Sequence, residues 1–129
     1  MMSRDEIYTK VKGCLAEALG ADEDRLQPQT SLTRDLEAES IDFVDIIFRM
    51  EKAFGVKIPQ GELFPQEIFS NKQYVSGGKL TGDGMQVLKT RYPYIDVSSA
   101  GSDLPVSELA RFYTVEMLVK YIEHKLTVQ

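Results

Sequence analysis

Ser40 stands between Glu39 and Ile41, with Asp42 and Asp45 just downstream. A hydroxyl in such company can attack a substrate or accept a group from another protein. Attack needs a positioned base and an oxyanion hole. No Gly-x-Ser-x-Gly turn surrounds Ser40, and the single histidine, His124, is far along the chain. Carboxylates at their ordinary values, such as Glu39 and Asp42, are poor bases for a hydroxyl. One histidine and one cysteine, widely separated, do not make a metal site. Gly77-Gly78 lacks the Lys-Ser/Thr of a phosphate-cradling loop. The sequence therefore assigns no catalytic and no metal-binding residue, and Ser40 reads as a hydroxyl delivered to the start of an apolar helix.

The elements around Ser40 fit that role. Asp, Glu and Ser are favoured around helix N-termini, where they satisfy orphan N–H groups and face the positive dipole end. From Ile41 to Phe54 apolar residues recur at helical spacing. Projection at 100° per residue places Asp42, Asp45, Arg49 and Lys52 in one polar sector. Ile41, Phe43, Val44, Ile46, Ile47, Phe48, Met50 and Phe54 occupy more than half the circumference. Ser40 is expected exposed at the loop–helix junction. Residues 35–51 hold six acids (Asp35, Glu37, Glu39, Asp42, Asp45, Glu51) and one base, Arg49. That is either a solvated face or a field that steers partners. Glu51 falls within the apolar sweep without an evident reason.

The run Glu39-Ser40-Ile41-Asp42-Phe43-Val44-Asp45-Ile46-Ile47, followed by Glu51-Lys52-Ala53-Phe54-Gly55-Val56-Lys57-Ile58-Pro59, resembles the attachment region of acyl carrier proteins. In that family the core is Asp-Ser-Leu and a glycine precedes it; here Glu39 and Ile41 flank the serine and Glu37 replaces the glycine. The resemblance implies an all-α, acyl-carrier-like four-helix bundle. It implies a 4′-phosphopantetheine arm from coenzyme A on Ser40, holding acyl groups as thioesters for fatty acid or lipid biosynthesis. It implies partner recognition through Glu39, Ile41, Asp42, Asp45, Phe48 and Glu51. An acyl cavity would be lined by Phe43, Val44, Ile47, Phe54, Ile58 and Val119. The implied partners are a phosphopantetheinyl transferase (holo-ACP synthase), ketosynthase, acyltransferase and other acyl-processing enzymes. Lys52 and Lys57 depart from the family's more uniformly acidic helix. Gly78-Lys79-Leu80-Thr81 with Val87-Leu88-Lys89 is similar to a specialised long-chain subgroup that serves lipid A. A peptidyl or polyketide carrier shares the chemistry, and a helical interaction module without a prosthetic group is the alternative of another class.

At 129 residues the length prior favours one domain, residues 1–129. Net charge is −5, from 15 Lys+Arg against 20 Asp+Glu, which disfavours nucleic acid as a partner. The one cysteine, Cys14, excludes an internal disulfide and lies on an apolar stripe, where a buried thiol is expected. No charged-then-apolar leader and no apolar run near roughly 18 residues is present. A cytoplasmic monomer without a membrane span is the expectation.

Ser3 and Glu6 form a capping-box pattern ahead of a helix, and Gly20 is its stop. Residues 21–39 read as a loop pinned by Leu26, Leu32 and Leu36. Gly55 stops the helix after Ser40. About forty residues, 66–105, then stand where the family has a short link, and they are expected to form an inserted lobe. A small hairpin is expected around Ser76-Gly77-Gly78. A helix capped by Thr81 should end at Pro93, though Gly82 and Gly84 weaken its first turn. Val97 to Asp103 reads as a loop. A short helix over 107–112 and a last one capped by Thr114, with His124 and Lys125 at its end, complete the chain.

Overall fold

The computed structural model describes residues 2–59, 61–100 and 104–127. The Gly101-Ser102-Asp103 end of the expected loop lies outside them. Helix α1 spans Arg4–Leu19 and opens on the Ser3–Glu6 capping box. Ser3 N–H donates to Glu6 Oε1 at 3.1 Å and Glu6 N–H to Ser3 Oγ at 3.2 Å. Gly20 closes α1 in the left-handed region at φ 66, where only a residue without Cβ is unstrained. Ile7, Val11, Cys14 and Leu15 are its buried stripe. The Cys14 thiol is pushed up by burial, so it is an inert core group as expected.

The loop after α1 holds a one-turn 3-10 helix, Glu23–Arg25, and is pinned by fully buried Leu26 and Leu32, while Leu36 is half-buried. Helix α2 spans Ser40–Phe54. Its inward face is Phe43, Ile46 and Met50, at i, i+3 and i+7. Helix α5, Val115–Thr127, buries Val115, Met117, Leu118, Val119, Tyr121 and Ile122. Thr114 caps it, its Oγ1 accepting from Met117 N–H at 3.2 Å. α1 packs against both α2 and α5. His124 is exposed at the far end of α5.

The described part of the inserted segment is built around local signals. A five-residue helix α3, Gln66–Ser70, opens it; the sequence reading held no helix there. Strands β1 (Val75–Ser76) and β2 (Lys79–Leu80) pair antiparallel, Val75 with Leu80 and Ser76 with Lys79. Gly77 and Gly78 have φ 60 and 78, the two left-handed positions a tight hairpin turn demands. Helix α4, Gly82–Arg91, follows with Thr81 as its cap: Gly84 N–H donates to Thr81 Oγ1 at 3.0 Å. Gly84 is there because a Cβ would strike the Tyr74 carbonyl and meet Leu80 at 3.2 Å. A glycine that weakens a helix in isolation thus permits close packing on the hairpin. Ser98–Ala100 is a 3-10 turn inside the expected loop. The short helix expected over 107–112 is a 3-10 helix, Val106–Phe112, that starts after Pro105. The molecule is an all-α bundle carrying a small hairpin. No helix of the described residues is long and apolar enough to cross a membrane.

Lobe and bundle share apolar packing. Leu80, Leu88, Tyr92, Ile95, Val97 and Leu104 belong to the same buried cluster as Ile7, Ile46 and Val119. Glu62 ties them together. Its Oε1 accepts from Tyr121 Oη at 2.9 Å and from Lys125 Nζ at 2.8 Å. Its backbone carbonyl accepts from Tyr94 Oη at 2.7 Å, and the Gly61 carbonyl accepts from Tyr92 Oη.

Candidate functional site

Ser40 is the first residue of α2 and is exposed. The loop that presents it is held on two sides. Leu32 N–H donates to the Tyr113 carbonyl at 2.8 Å, and Ala38 N–H returns to the Leu32 carbonyl at 2.9 Å. Asp35 accepts from Ser31 N–H at 2.7 Å, which makes it a turn-former. Glu37 takes φ 58, a left-handed conformation that glycine adopts without strain. The backbone here thus keeps a glycine's geometry although the sequence carries Glu37.

Asp42 turns back on the start of α2, its Oδ2 accepting from Glu39 N–H at 2.8 Å. One of the four acids of the expected address is therefore also a helix cap. Asp45 is engaged as well, accepting from Arg49 Nε at 3.1 Å, and Arg49 reaches Glu17 at 3.5 Å. Glu51 has its reason: Oε2 accepts from Ile58 N–H at 2.8 Å, fixing the turn after α2. It is half-buried, and this bond gives the expected recognition residue a structural duty as well.

The apolar residues divide more sharply than the sequence projection implied. Ile41 is 75% exposed, Val44 67% and Phe48 53%, and they share one outward stripe. Lys52 Nζ lies 4.4 Å from the Phe48 ring centroid, a cation over the aromatic face. Val44, expected in the acyl cavity, is corrected: it lies some 100° from Phe43 around the helix and points to solvent. Of the other cavity residues, Phe43, Ile58 and Val119 are buried, and Ile47 and Phe54 are half-buried. Ser40 sits where the buried face of α2 meets the exposed stripe.

Two aromatic partners escaped the sequence reading. The Phe43 ring stacks on Phe64 at 4.6 Å, and Tyr113 meets Phe43 at 5.8 Å and Phe64 at 5.2 Å. Burial pushes the Tyr113 phenol up, so it stays neutral. No local pattern links positions 43, 64 and 113, and only the fold brings them together.

The family model for the phosphopantetheine attachment site matches residues 9–67. An acyl carrier protein of Rubrobacter xylanophilus is 44% identical over 61 residues, which is 47% of this chain and 75% of that protein. One from Thermotoga maritima is 43% identical over 63 residues, 49% of this chain and 78% of that protein. The acyl carrier protein AcpXL of Brucella melitensis is 37% identical over 89 residues, 69% of this chain and 87% of that protein. This chain belongs to the acyl carrier protein family.

The acyl carrier protein is thus a carrier and not an enzyme, and its cofactor is phosphopantetheine. The residues present fit such a group. An exposed serine at a helix start leaves room for a long arm, and among the described residues the Ser40 hydroxyl holds no hydrogen bond that attachment would break. Membership brings interaction with a phosphopantetheinyl transferase and acyl-processing enzymes.

Proposed function

We propose that Ser40 Oγ receives the phosphopantetheine arm and that the carrier serves the acylation of lipids, with long-chain acyl groups such as those of lipid A as its cargo. The observation that carries the attachment point is the placement of Ser40: exposed, first in α2, and bordered by Glu39 and Ile41. The long-chain reading is supported by similarity to AcpXL, which covers 69% of this chain and so runs beyond the α1–α2 region. Ketosynthase and acyltransferase are the partner classes, and coenzyme A as donor implies a cytoplasmic address. Residues 1–129 form one domain with 66–105 as its insert, a reading supported by the shared buried cluster.

The chain's own residues do three things. Ser40 Oγ forms the bond to the pantetheine-side phosphorus of coenzyme A as the pyrophosphate P–O bond breaks. Adenosine 3′,5′-bisphosphate leaves with that oxygen, and the hydroxyl proton is released to a base of the transferase. Once attached, the arm supplies a terminal thiol that carries acyl groups as thioesters. Glu39, Asp42 and Asp45 set a negative field beside the apolar stripe of Ile41, Val44 and Phe48. That combination suits partners with a basic rim and an apolar socket. Lys52 over Phe48 places one cation inside the field and narrows the partner set.

The test is intact mass after incubation with coenzyme A and a broad-specificity phosphopantetheinyl transferase. The parent is expected to gain one phosphopantetheine, and folded Ser40→Ala none. A loaded Ser40→Ala protein would refute the attachment point.

A further inference from the structure

We propose that the Phe43–Phe64–Tyr113 cluster is a gate beneath Ser40, and that Phe64 is the leaf that opens and sets which acyl chains the interior accepts. This rests on Ser40 as the attachment point. An apolar chain tethered there in water is driven toward the nearest apolar interior. Phe43 is three residues on, on the neighbouring face of the same helix. Its ring closes that interior together with Phe64 and Tyr113. The three are 8%, 3% and 2% exposed. They belong to the same buried cluster as Ile46, Leu118 and Val119, which are fully buried.

The three rings are not held alike. Phe43 is inside α2, where its backbone is fixed by the helix. The Tyr113 backbone is tied twice, its N–H to the Ala110 carbonyl and its carbonyl to Leu32 N–H. Phe64 stands in the irregular segment between α2 and α3, outside any helix or strand. That segment is anchored two residues earlier, where Glu62 meets Tyr94, Tyr121 and Lys125. Phe64 can therefore swing on a fixed pivot while the other two rings stay. Its departure breaks two ring contacts, and an acyl chain replaces them with apolar contact of its own. A bulky ring at this point disfavours short chains, which gain too little contact to displace it, and admits longer ones.

Acetyl-, decanoyl- and palmitoyl-coenzyme A, transferred by the same enzyme, test this. Intact mass first reports loading; the half-life of each thioester in hydroxylamine then reports shelter. In the parent, decanoyl and palmitoyl thioesters should outlast acetyl. Phe64→Ala should lengthen the decanoyl half-life relative to acetyl by at least about threefold, less than one methylene is worth in a well-formed apolar pocket. Phe64→Leu should fall between, and Phe69→Ala, at an exposed position of α3, should match the parent. Ring resonances of Tyr113 and Phe43 in the parent should shift between arm-only and decanoyl forms, which decides the matter should Phe64→Ala fail to fold. Loaded, folded variants with parental half-life ratios and unmoved rings overturn the gate alone. Absence of loading on the parent removes both the gate and the attachment point.

Discussion

At the scale of single residues, the acidic address around Ser40 is not a set of free charges. Asp42 caps α2 through Glu39 N–H, Asp45 is shared with Arg49, and Glu51 holds Ile58 N–H. Substitutions there mix folding with recognition, and the two can be separated. Asp42→Asn keeps a side-chain oxygen for the cap and removes the charge; Asp42→Ala removes both. Thermal unfolding should show Asp42→Ala weaker by about 1 kcal/mol, as for other lost caps, and Asp42→Asn near the parent. Loading by the transferase should slow in both variants, and more at low salt, where exposed charges act over longer range. Parental loading by folded Asp42→Asn would mean that this carboxylate serves the helix and not the partner. The sequence marked Ser40 and its acids because their spacing is local. It gave no structural reason for Glu51 because the Ile58 N–H seven residues on is reached only after the chain turns at Gly55.

At the scale of elements, the same division holds. Ser3 with Glu6, Gly20, Gly55, Thr81 and Thr114 were legible as helix boundaries because a cap is satisfied within a turn of itself. The hairpin was legible from Gly77-Gly78 for the same reason. Gly84 was misjudged as a weakness of α4, since the Tyr74 carbonyl that excludes its Cβ is ten residues away. Helix α3 is a single short turn without a side-chain cap, and the 3-10 form of Val106–Phe112 has no local signal that set it apart from an α-helix. Gly84→Ala should therefore destabilise the protein by about 2 kcal/mol, although alanine is the better helix former. A raised melting temperature in that variant would show that the hairpin and α4 are not locked as described. Val44 belongs to this scale too. An apolar arc of more than half the circumference can serve a buried face and a docking face at once, and only its packing in the fold, against α1 among others, tells them apart.

At the scale of the whole molecule, the inserted lobe is part of one packed body, and Glu62 is the main polar tie. Burial alone would raise the Glu62 carboxyl. The hydrogen bonds from Lys125 and Tyr121 and the Lys125 charge outweigh it, leaving it below its ordinary value. A carboxyl lowered on folding stabilises at pH above its unfolded value, and the contribution is lost as pH falls through the folded one. With over a third of the Glu62 side chain exposed, the tie is screened, and Glu62→Gln should cost only about 1 kcal/mol at neutral pH. That difference should shrink steadily as the pH is taken below the ordinary carboxylate range, as followed by chemical denaturation. A constant difference down to strongly acid pH would contradict the tie. None of this was readable beforehand, because Glu62, Tyr94, Tyr121 and Lys125 lie on three separate stretches that only the fold assembles.

The account turns on Ser40 as the point of attachment, and fragment-ion mapping of the loaded parent protein tests it most directly. The phosphopantetheine should be found on the peptide bearing Ser40, with fragment ions placing it on that hydroxyl. The arm on any other hydroxyl, Ser31 or Thr33 for instance, would contradict the account, since the loop, the cap and the apolar stripe would then serve no cargo at all.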